Sequence, residues 1–352
     1  MITGFHHLTA ITSNAAKNVA YYTKVLGLRL VKQTVNFDDP GSWHLYFGNE
    51  SGVPGTILTF FEWAHLPKGT PGIGGTHHLA FRVKDREGLL KWKRRIQDFG
   101  YHVNGPFDRK YFESIYTNDP DGLIIEIATE GPGFTVDESF ENLGQSLLSP
   151  NPSQTKAGRN DALIAEENWE ESIPVITAEM SLNKGLHHVS AISSDIIRTD
   201  DFYQDVLGMR RVKKTQNFDD ASVPHWYWGN QNAEVGSIMT YFEYKQGAYR
   251  PVKMGTGSTH HIAFSTPNDE TQAEMRENLL LTGLRVSPVM ERNYFRSIYF
   301  NDPDGHILEI ATAGPGFAVD ETPEELGSTL MLPNHLEKYR SEIERHLSPL
   351  EK

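Results

Sequence analysis

The sequence contains no cysteine among its 352 residues. This absence excludes disulfide bonds and thiolate metal ligands, so nitrogen and oxygen atoms must hold any metal ion. The first residues also lack a basic segment followed by an apolar stretch, which a secretion signal would require. We therefore expect a cytoplasmic protein.

Long apolar runs and an excess of positive charge are also missing. No run approaches the roughly 20 apolar residues that a membrane-spanning helix needs. The net charge of −13 argues against a nucleic acid or an anionic membrane as a partner. With 38% hydrophobic and 22% charged residues, the chain has an ordinary globular composition and enough length for about two domains.

Histidine pairs are the most unusual feature that is present. Eight of the fifteen histidines form four His-His dipeptides, at residues 6–7, 77–78, 187–188 and 260–261. Each dipeptide opens a segment that alternates between apolar and polar residues, as a β-strand does. We therefore expect four strands that each carry a histidine pair.

Internal repeats show that the chain is a tandem duplication. The segment LRLVKQTVNFDD at 28–39 returns as MRRVKKTQNFDD at 209–220, and the block that begins with RKYFESIYTNDPDG at 109 returns as RNYFRSIYFNDPDG at 292. The first half spans 1–134 and the second half spans 185–317. Residues 135–184, rich in proline, serine and acidic residues, are predicted to form an exposed linker.

Each half divides again into two modules with the order βαβββ. The second module shows the pattern best, with a helix that follows Asp85, ends at Gly100 and has an apolar stripe of Leu89, Trp92, Ile96 and Phe99. The modules are predicted at 1–70, 75–134, 185–250 and 257–317, followed by a helical tail at 318–352. The predicted class is α+β, with four modules that form two open-barrel domains.

Strand alternation predicts which histidine of each pair faces a cavity. The first histidine shares a face with apolar residues, which should pack under the helix of the module. The second histidine projects to the more polar face; these residues are His7, His78, His188 and His261. Glu126 and Glu309 lie inside apolar strands, and their side chains also project away from the apolar face.

Two histidines and one carboxylate form a facial triad, which holds Fe(II) and leaves positions open for substrate and oxygen. The same ligand types are compatible with zinc and Mn(II). The alternative is that the histidines are ordinary strand residues and the glutamates are edge charges, but four registered pairs favour a metal. Chain order alone would pair consecutive modules and join His7, His78 and Glu126.

These features resemble the vicinal oxygen chelate superfamily, which includes glyoxalase I, fosfomycin-resistance proteins and extradiol dioxygenases. The segments FHHLTA, HLYFGNESGVPGT, RNYFRSIYFNDPDGHILEIAT and GPGFAVDE are similar, in this order, to blocks of the hydroquinone-type ring-cleaving dioxygenases. The resemblance covers nearly the whole chain apart from the linker and the end of the tail.

The resemblance implies a specific ligand set. The metal ligands would be His7, His261 and Glu309, so module one would close a barrel with module four, and module two with module three. The residues that the resemblance places around the metal are His6, Thr9, Arg292 and Tyr299.

A second set of ligands is also complete in this sequence. It consists of His78, His188 and Glu126, with surroundings that comprise His187, Ser190, Arg109 and Tyr116. The set is either a second working site or the product of a duplication whose second pocket is blocked or metal-free.

The implied activity is that of a non-haem dioxygenase that opens a hydroquinone or catechol ring with O₂. Its cofactor would be Fe(II), with Mn(II) as the second choice, and its partners a small aromatic diol and O₂. His6 or Tyr299 would relay protons, and Arg292 would stabilise negative charge. Alternatively, Arg292 forms a surface ion pair and Tyr299 is a core aromatic. His44 and His225 are expected to line pockets or support structure rather than ligate.

Other functions remain open at this point. One is a catechol-type extradiol dioxygenase, and another is a glyoxalase-like metal isomerase, although such isomerases usually add a fourth protein ligand. A third is a metal-free module that binds an aromatic molecule. A homo-oligomer is compatible with all of these functions.

Overall fold

The computed structural model describes residues 1–245 and 247–350. Module one contains β1 (Gly4–Thr12), α1 (Ala15–Ala20) with a π-helical turn (Tyr21–Val25), β2 (Arg29–Asn36), β3 (Asp39–Gly48) and β4 (Ile57–Glu62). Module two contains β5 (Thr76–Val83), α2 (Arg86–Asp98), β6 (Asn104–Asp108), β7 (Glu113–Asn118) and β8 (Ile124–Thr129).

The second half repeats this order after the linker, whose one α-helix is α3 (Asp161–Glu166). Module three contains β9 (Leu186–Ser193), α4 (Ile196–Asp201) with a π-helical turn (Phe202–Val206), β10 (Arg210–Gln216), β11 (Pro224–Gly229) and β12 (Ile238–Glu243). Module four contains β13 (Thr259–Thr266), α5 (Asp269–Leu281), β14 (Met290–Glu291), β15 (Arg296–Asn301) and β16 (Ile307–Thr312). The tail carries α6 (Arg340–His346) and short 3₁₀ turns. The predicted α+β class is confirmed.

The strands form two eight-stranded sheets. One sheet has the order β14-β15-β16-β13-β1-β4-β3-β2 and therefore combines modules four and one. The other has the order β10-β11-β12-β9-β5-β8-β7-β6 and combines modules three and two. At the middle of each sheet two modules meet through an antiparallel pair, β1 with β13 and β5 with β9.

One face of each sheet contributes to a shared apolar core. Leu8 from β1, Leu79 from β5, Val189 from β9 and Ile262 from β13 all belong to this core and are fully buried. The opposite face of each sheet carries the histidine pairs, the glutamates and smaller apolar clusters. Burial of one face by apolar residues thus fixes the strand register that places the polar residues on the other.

Helix α2 shows how far the apolar stripe predicts the packing. Asp85 caps its start by accepting a hydrogen bond from the Gly88 N–H at 3.2 Å, and Gly100 follows its end with φ +85°. Trp92 is fully buried with the rest of the stripe, except for Phe99, which is 45% exposed. The prediction for Phe99 was wrong because it lies beyond the last helical turn, where its side chain leaves the buried face.

Most residues of the linker are exposed, as its composition predicted, but several residues anchor it to the rest of the chain. Met180 and Leu182 are buried, and the Trp92 indole N–H donates to the Met180 carbonyl at 2.7 Å. The Arg95 guanidinium donates to the carbonyls of Ile173 and Pro174 at 3.0 and 2.9 Å. The linker therefore packs along α2, because buried donors on that helix need its carbonyl groups. In the described ranges no helix is long and apolar enough to cross a membrane.

Candidate metal centres

All four histidine pairs lie at β-bulges in the central strand pairs. In β1 and β13 the extra residues are His6 and His260, and in β5 and β9 they are His77 and His187. A bulge adds one residue to a strand and redirects its side chain. Strict alternation of the two histidines was therefore a wrong prediction, because the first ring turns towards the second.

The two rings of each pair meet through their Nδ1 atoms. These distances are 2.9 Å for His6 and His7, 2.8 Å for His77 and His78, 2.9 Å for His187 and His188, and 2.8 Å for His260 and His261. A hydrogen bond at Nδ1 orients the second ring and leaves its Nε2 atom free to bind a metal. The first histidine of each pair thus positions the second.

The first site is the cluster of His7, His261 and Glu309, which come from β1, β13 and β16. The two Nε2 atoms are 3.2 Å apart, and Glu309 Oε2 lies 3.4 Å from His7 Nε2 and 3.0 Å from His261 Nε2. All three side chains are buried. The pairing of β1 with β13 and of β13 with β16 brings together ligands that are more than 250 residues apart.

The second site repeats this cluster with His78, His188 and Glu126 from β5, β9 and β8. The two Nε2 atoms are 3.2 Å apart, and Glu126 Oε2 lies 2.8 Å from His78 Nε2 and 3.1 Å from His188 Nε2. These side chains are also buried. The structure does not bring His7, His78 and Glu126 together, since each site combines modules across the two halves.

The glutamate oxygens indicate that the clusters fit a metal ion. Glu309 Oε2 and both carboxylate oxygens of Glu126 are buried, and none has a hydrogen-bond partner among the described residues. The histidine nitrogens lie close to them without hydrogen-bond alignment. Buried carboxylate oxygens are costly without partners. A divalent cation at the point where the three side chains converge would satisfy them.

The charge states of these groups agree with ligation. Burial would raise the pKa of Glu309, but His7 and His261 outweigh it and hold the pKa well below its ordinary value. The pKa of Glu126 is lowered by its two histidines in the same way. Burial lowers the pKa of His261. Ionised carboxylates and neutral imidazoles are the forms that bind metals.

A cavity of about 470 Å³ opens beside the first site. Its walls include Phe61 and Trp63, as well as Arg292 and Tyr299. The Arg292 Nε–H donates to the Tyr299 hydroxyl at 3.3 Å, and its Nη1 lies 3.4 Å from Asp38 Oδ2. The structure therefore places Arg292 and Tyr299 where a molecule in the cavity would contact them.

Thr9 and His6 do not line this cavity. Thr9 Oγ1 is 2.8 Å from Thr59 Oγ1, which is 2.8 Å from Nε2 of His44, and His44 Nδ1 is 3.0 Å from the hydroxyl of Tyr46. Thr9 thus anchors a hydrogen-bonded chain that runs through His44 to Tyr46, and His44 lines the cavity as expected.

The sequence did not predict several residues near the first site, and His260 and Thr59 are two examples. His260 lines the cavity, although strand alternation predicts that only His261 faces it. Thr59 links Thr9 to His44. The repeat offers a signal for Thr59, because Thr240 makes the same contacts with Ser190 and His225 in the second half.

A cavity of about 530 Å³ opens beside the second site. Arg109, Tyr116 and His225 line it, and the Arg109 Nη2–H donates to Asp219 Oδ2 at 3.2 Å. His187 lies behind His188 and Ser190 supports Thr240, as their counterparts do in the first site. The second pocket is therefore open rather than blocked.

Comparison with known families follows this geometry. The sequence model of the Glyoxalase/Bleomycin resistance protein/Dioxygenase superfamily matches residues 4–127 and 185–310. The chain belongs to this superfamily. The two matched segments contain all six ligand residues of both sites, and they leave out the linker and the tail.

Several members of the superfamily are similar along their whole length. A Bacillus subtilis (strain 168) protein with the provisional name ring-cleaving dioxygenase MhqO is 34% identical over 99% of this chain and 96% of its own. A chlorohydroquinone/hydroquinone 1,2-dioxygenase from Sphingobium indicum is 27% identical over 99% of this chain and 96% of its own length.

Solved structures agree with this placement. A crystal structure of a provisionally named dioxygenase from Bacillus subtilis has a TM-score of 0.77 and 33% identity, over 99% of this chain and 98% of that one. The crystal structure of glyoxalase I from Zea mays has a TM-score of 0.58 and 16% identity, over 88% of this chain and 92% of that one. At this low identity the likeness shows the fold alone.

Proposed function

We propose that this superfamily member is a ring-cleaving dioxygenase that opens a hydroquinone-type ring with O₂. Fe(II) would be held at the first site by His7, His261 and Glu309. The observation that supports this proposal best is a cluster of three ligands beside an aromatic-walled cavity. The full-length similarity to a chlorohydroquinone/hydroquinone 1,2-dioxygenase favours the substrate class.

The three ligands suit this chemistry because they leave coordination positions open. A bound Fe(II) ion supplies a positive charge that lowers the pKa of a diol hydroxyl, and redox chemistry that couples the ring to O₂. Overall, one diol and one O₂ give one ring-opened product that contains both oxygen atoms.

The aromatic walls of the cavity orient the substrate. Phe61 and Trp63 stack with their ring centroids 5.0 Å apart, and Phe295 lies 5.2 Å from the ring of His7. Such surfaces would contact the ring of a planar diol and exclude water from the reacting atoms. These contacts would hold the hydroxyl groups of the ring towards the ligand cluster.

Arg292 and Tyr299 supply the polar groups of the cavity. Burial raises the pKa of Tyr299, so its hydroxyl stays protonated and can donate a hydrogen bond. The Arg292 guanidinium stays charged and lies over the Tyr299 ring at 5.4 Å. We assign to this pair the stabilisation of negative charge on an oxygen of the reacting molecule.

Two alternatives are less well supported. A glyoxalase-like metal isomerase usually adds a fourth protein ligand, whereas each cluster in residues 1–245 and 247–350 contains three. A metal-free binding module has no need for buried carboxylate oxygens that lack partners.

Oxygen uptake tests the proposal. The protein is loaded with Fe(II) without oxygen, and O₂ consumption is then followed after addition of hydroquinone. We expect one O₂ per diol, a ring-opened product, and a large loss of turnover when His261→Ala is combined with His188→Ala, so that each cluster lacks one histidine. Fe(II)-loaded protein that consumes no O₂ with hydroquinones or catechols would refute the proposal, and turnover of a hemithioacetal would instead support an isomerase.

A further inference from the structure

The two cavities carry different charges beyond their ligands. The first cavity is lined by one cation, Arg292, and two carboxylates, Asp38 and Asp39. The second cavity is lined by three cations and one carboxylate, which are Arg109, Lys156, Arg159 and Asp219. Arg292 corresponds to Arg109 and Asp38 to Asp219 in the repeat, so the difference comes mainly from Lys156 and Arg159.

Both additional cations come from the linker. The Lys156 N–H donates to the Phe218 carbonyl at 2.9 Å, which attaches the linker to the loop that carries Asp219. The guanidinium of Arg159 lies 4.3 Å from the ring centroid of Phe107. The tail follows the second half of the chain as the linker follows the first half. None of the described tail residues lines the first cavity.

The positive charge of the second cavity is only partly neutralised. Arg159 pairs with Asp161 at 2.6 Å and with Asp219 at 2.5 Å, and Arg109 pairs with the other oxygen of Asp219 at 3.2 Å. Lys156 is exposed and forms no ion pair with a described residue. Three cations thus face two carboxylates, so an excess of positive charge remains.

We propose that the second site is a second diol site, selective for aromatic diols that carry an anionic substituent such as a carboxylate. The ring hydroxyls would lie towards His78, His188 and Glu126, and the anionic group towards Lys156 and Arg159. The inference rests on the proposed dioxygenase function. The first site, with its excess of carboxylates, would favour neutral diols because like charges repel.

Binding measured without oxygen tests this selectivity independently of turnover. Fe(II)-loaded His261→Ala protein retains the second site, and Fe(II)-loaded His188→Ala protein retains the first. Calorimetry would compare 2,5-dihydroxybenzoate, which is anionic, with methylhydroquinone, which is neutral and similar in size. We expect the second site to bind the anionic diol roughly tenfold more tightly than the neutral one, and the first site to lack this preference.

The cations are then removed in the protein that retains the second site. Lys156→Gln should reduce the preference to roughly threefold, and Lys156→Gln with Arg159→Gln should abolish it. Lys156 is exposed, so the single variant keeps the test valid if the double variant unfolds. The control is Lys184→Gln, which removes a linker cation that pairs with Glu130 and does not line the second cavity.

The outcomes separate this inference from the proposed function. Equal preferences at the two sites, a preference that survives Lys156→Gln with Arg159→Gln, or a second site that binds neither diol would overturn the inference. If the predicted preference is found but Fe(II)-loaded protein consumes no O₂ with either diol, charge selection stands and the dioxygenase function fails. High salt should weaken the preference, because it screens the exposed charge of Lys156.

Discussion

The cavity beside His7 and the cavity beside His78 have the same candidate ligand types, the same contact between the paired histidines and similar volumes. They differ where a linker covers one of them and contributes Lys156 and Arg159. Duplication therefore preserved the two clusters of histidines and glutamate, while the segment outside the repeat changed the cavity entrance. Under the two proposals, metal chemistry and substrate choice would be carried by different parts of the chain.

Loss of one ligand should have the largest effect. His7→Ala should release the metal of the first site and leave the second loaded, and His78→Ala should do the reverse. Replacing one imidazole among three ligands should cost several kcal/mol of metal binding. Iron content per chain after dialysis is the measurement. If both variants lost all iron, the two sites would not be independent.

Removal of the polar pair beside each metal comes next. In the His188→Ala protein, which retains only the first site, Arg292→Ala and Tyr299→Phe should keep iron and lower the turnover of hydroquinone roughly 10²–10³-fold. The matched changes Arg109→Ala and Tyr116→Phe should leave that turnover unaltered, because they lie at the second site. O₂ consumption with iron measured alongside distinguishes these effects. Unchanged turnover in Arg292→Ala and Tyr299→Phe would show that these two side chains have a structural role only.

A serine behind each glutamate should distinguish the sites more finely. The Ser297 hydroxyl donates to Glu309 Oε1, whereas Ser114 donates to the Tyr116 hydroxyl at 3.3 Å and not to Glu126. Ser297→Ala should therefore weaken the metal at the first site about 10–100-fold. Ser114→Ala should change the affinity of the second site much less. Competition with a chelator measures both, and equal losses would contradict the asymmetry.

The smallest effect is expected at the cavity entrances. The Asp38 side chain is 72% exposed, so Asp38→Asn should change the free energy of unfolding by less than about 1 kcal/mol. Burial would raise the pKa of Asp219, but Arg109 and Arg159 lower it.

The lowered pKa of Asp219 predicts that the free energy of unfolding depends on pH. A carboxylate with a lowered pKa stabilises the fold above its unfolded pKa of about 3.9, and this contribution is lost as pH falls through the folded pKa. The stability difference between the wild type and Asp219→Asn should therefore be present at pH 7 and shrink below about pH 4. Urea unfolding of the two proteins at pH 7 and at a pH below about 4 measures this difference. A difference that does not depend on pH would exclude the carboxylate charge as its cause.

The repeats predicted the modules well, because apolar alternation and the α2 stripe are local features. They also identified the histidines and glutamates that the structure brings together. The combination of modules could not follow from order along the chain, since β1 can reach β5 or β13 with similar ease. Only the resemblance to a family indicated the pairing of β1 with β13.

Two further features lay beyond local patterns. The bulges at His6 and His77 depend on the register between two distant strands, so alternation within one strand cannot reveal them. The role of Lys156 depends on the folded path of a linker whose composition resembles that of a solvent-exposed segment.

Anomalous diffraction at the iron edge, from crystals of Fe(II)-loaded protein grown without oxygen, tests the central claim most directly. We predict one iron peak between His7, His261 and Glu309, and a second between His78, His188 and Glu126. A single peak would contradict the equivalence of the two metal centres. A peak shared by His7, His78 and Glu126, or iron bound elsewhere, would contradict the ligand assignment itself.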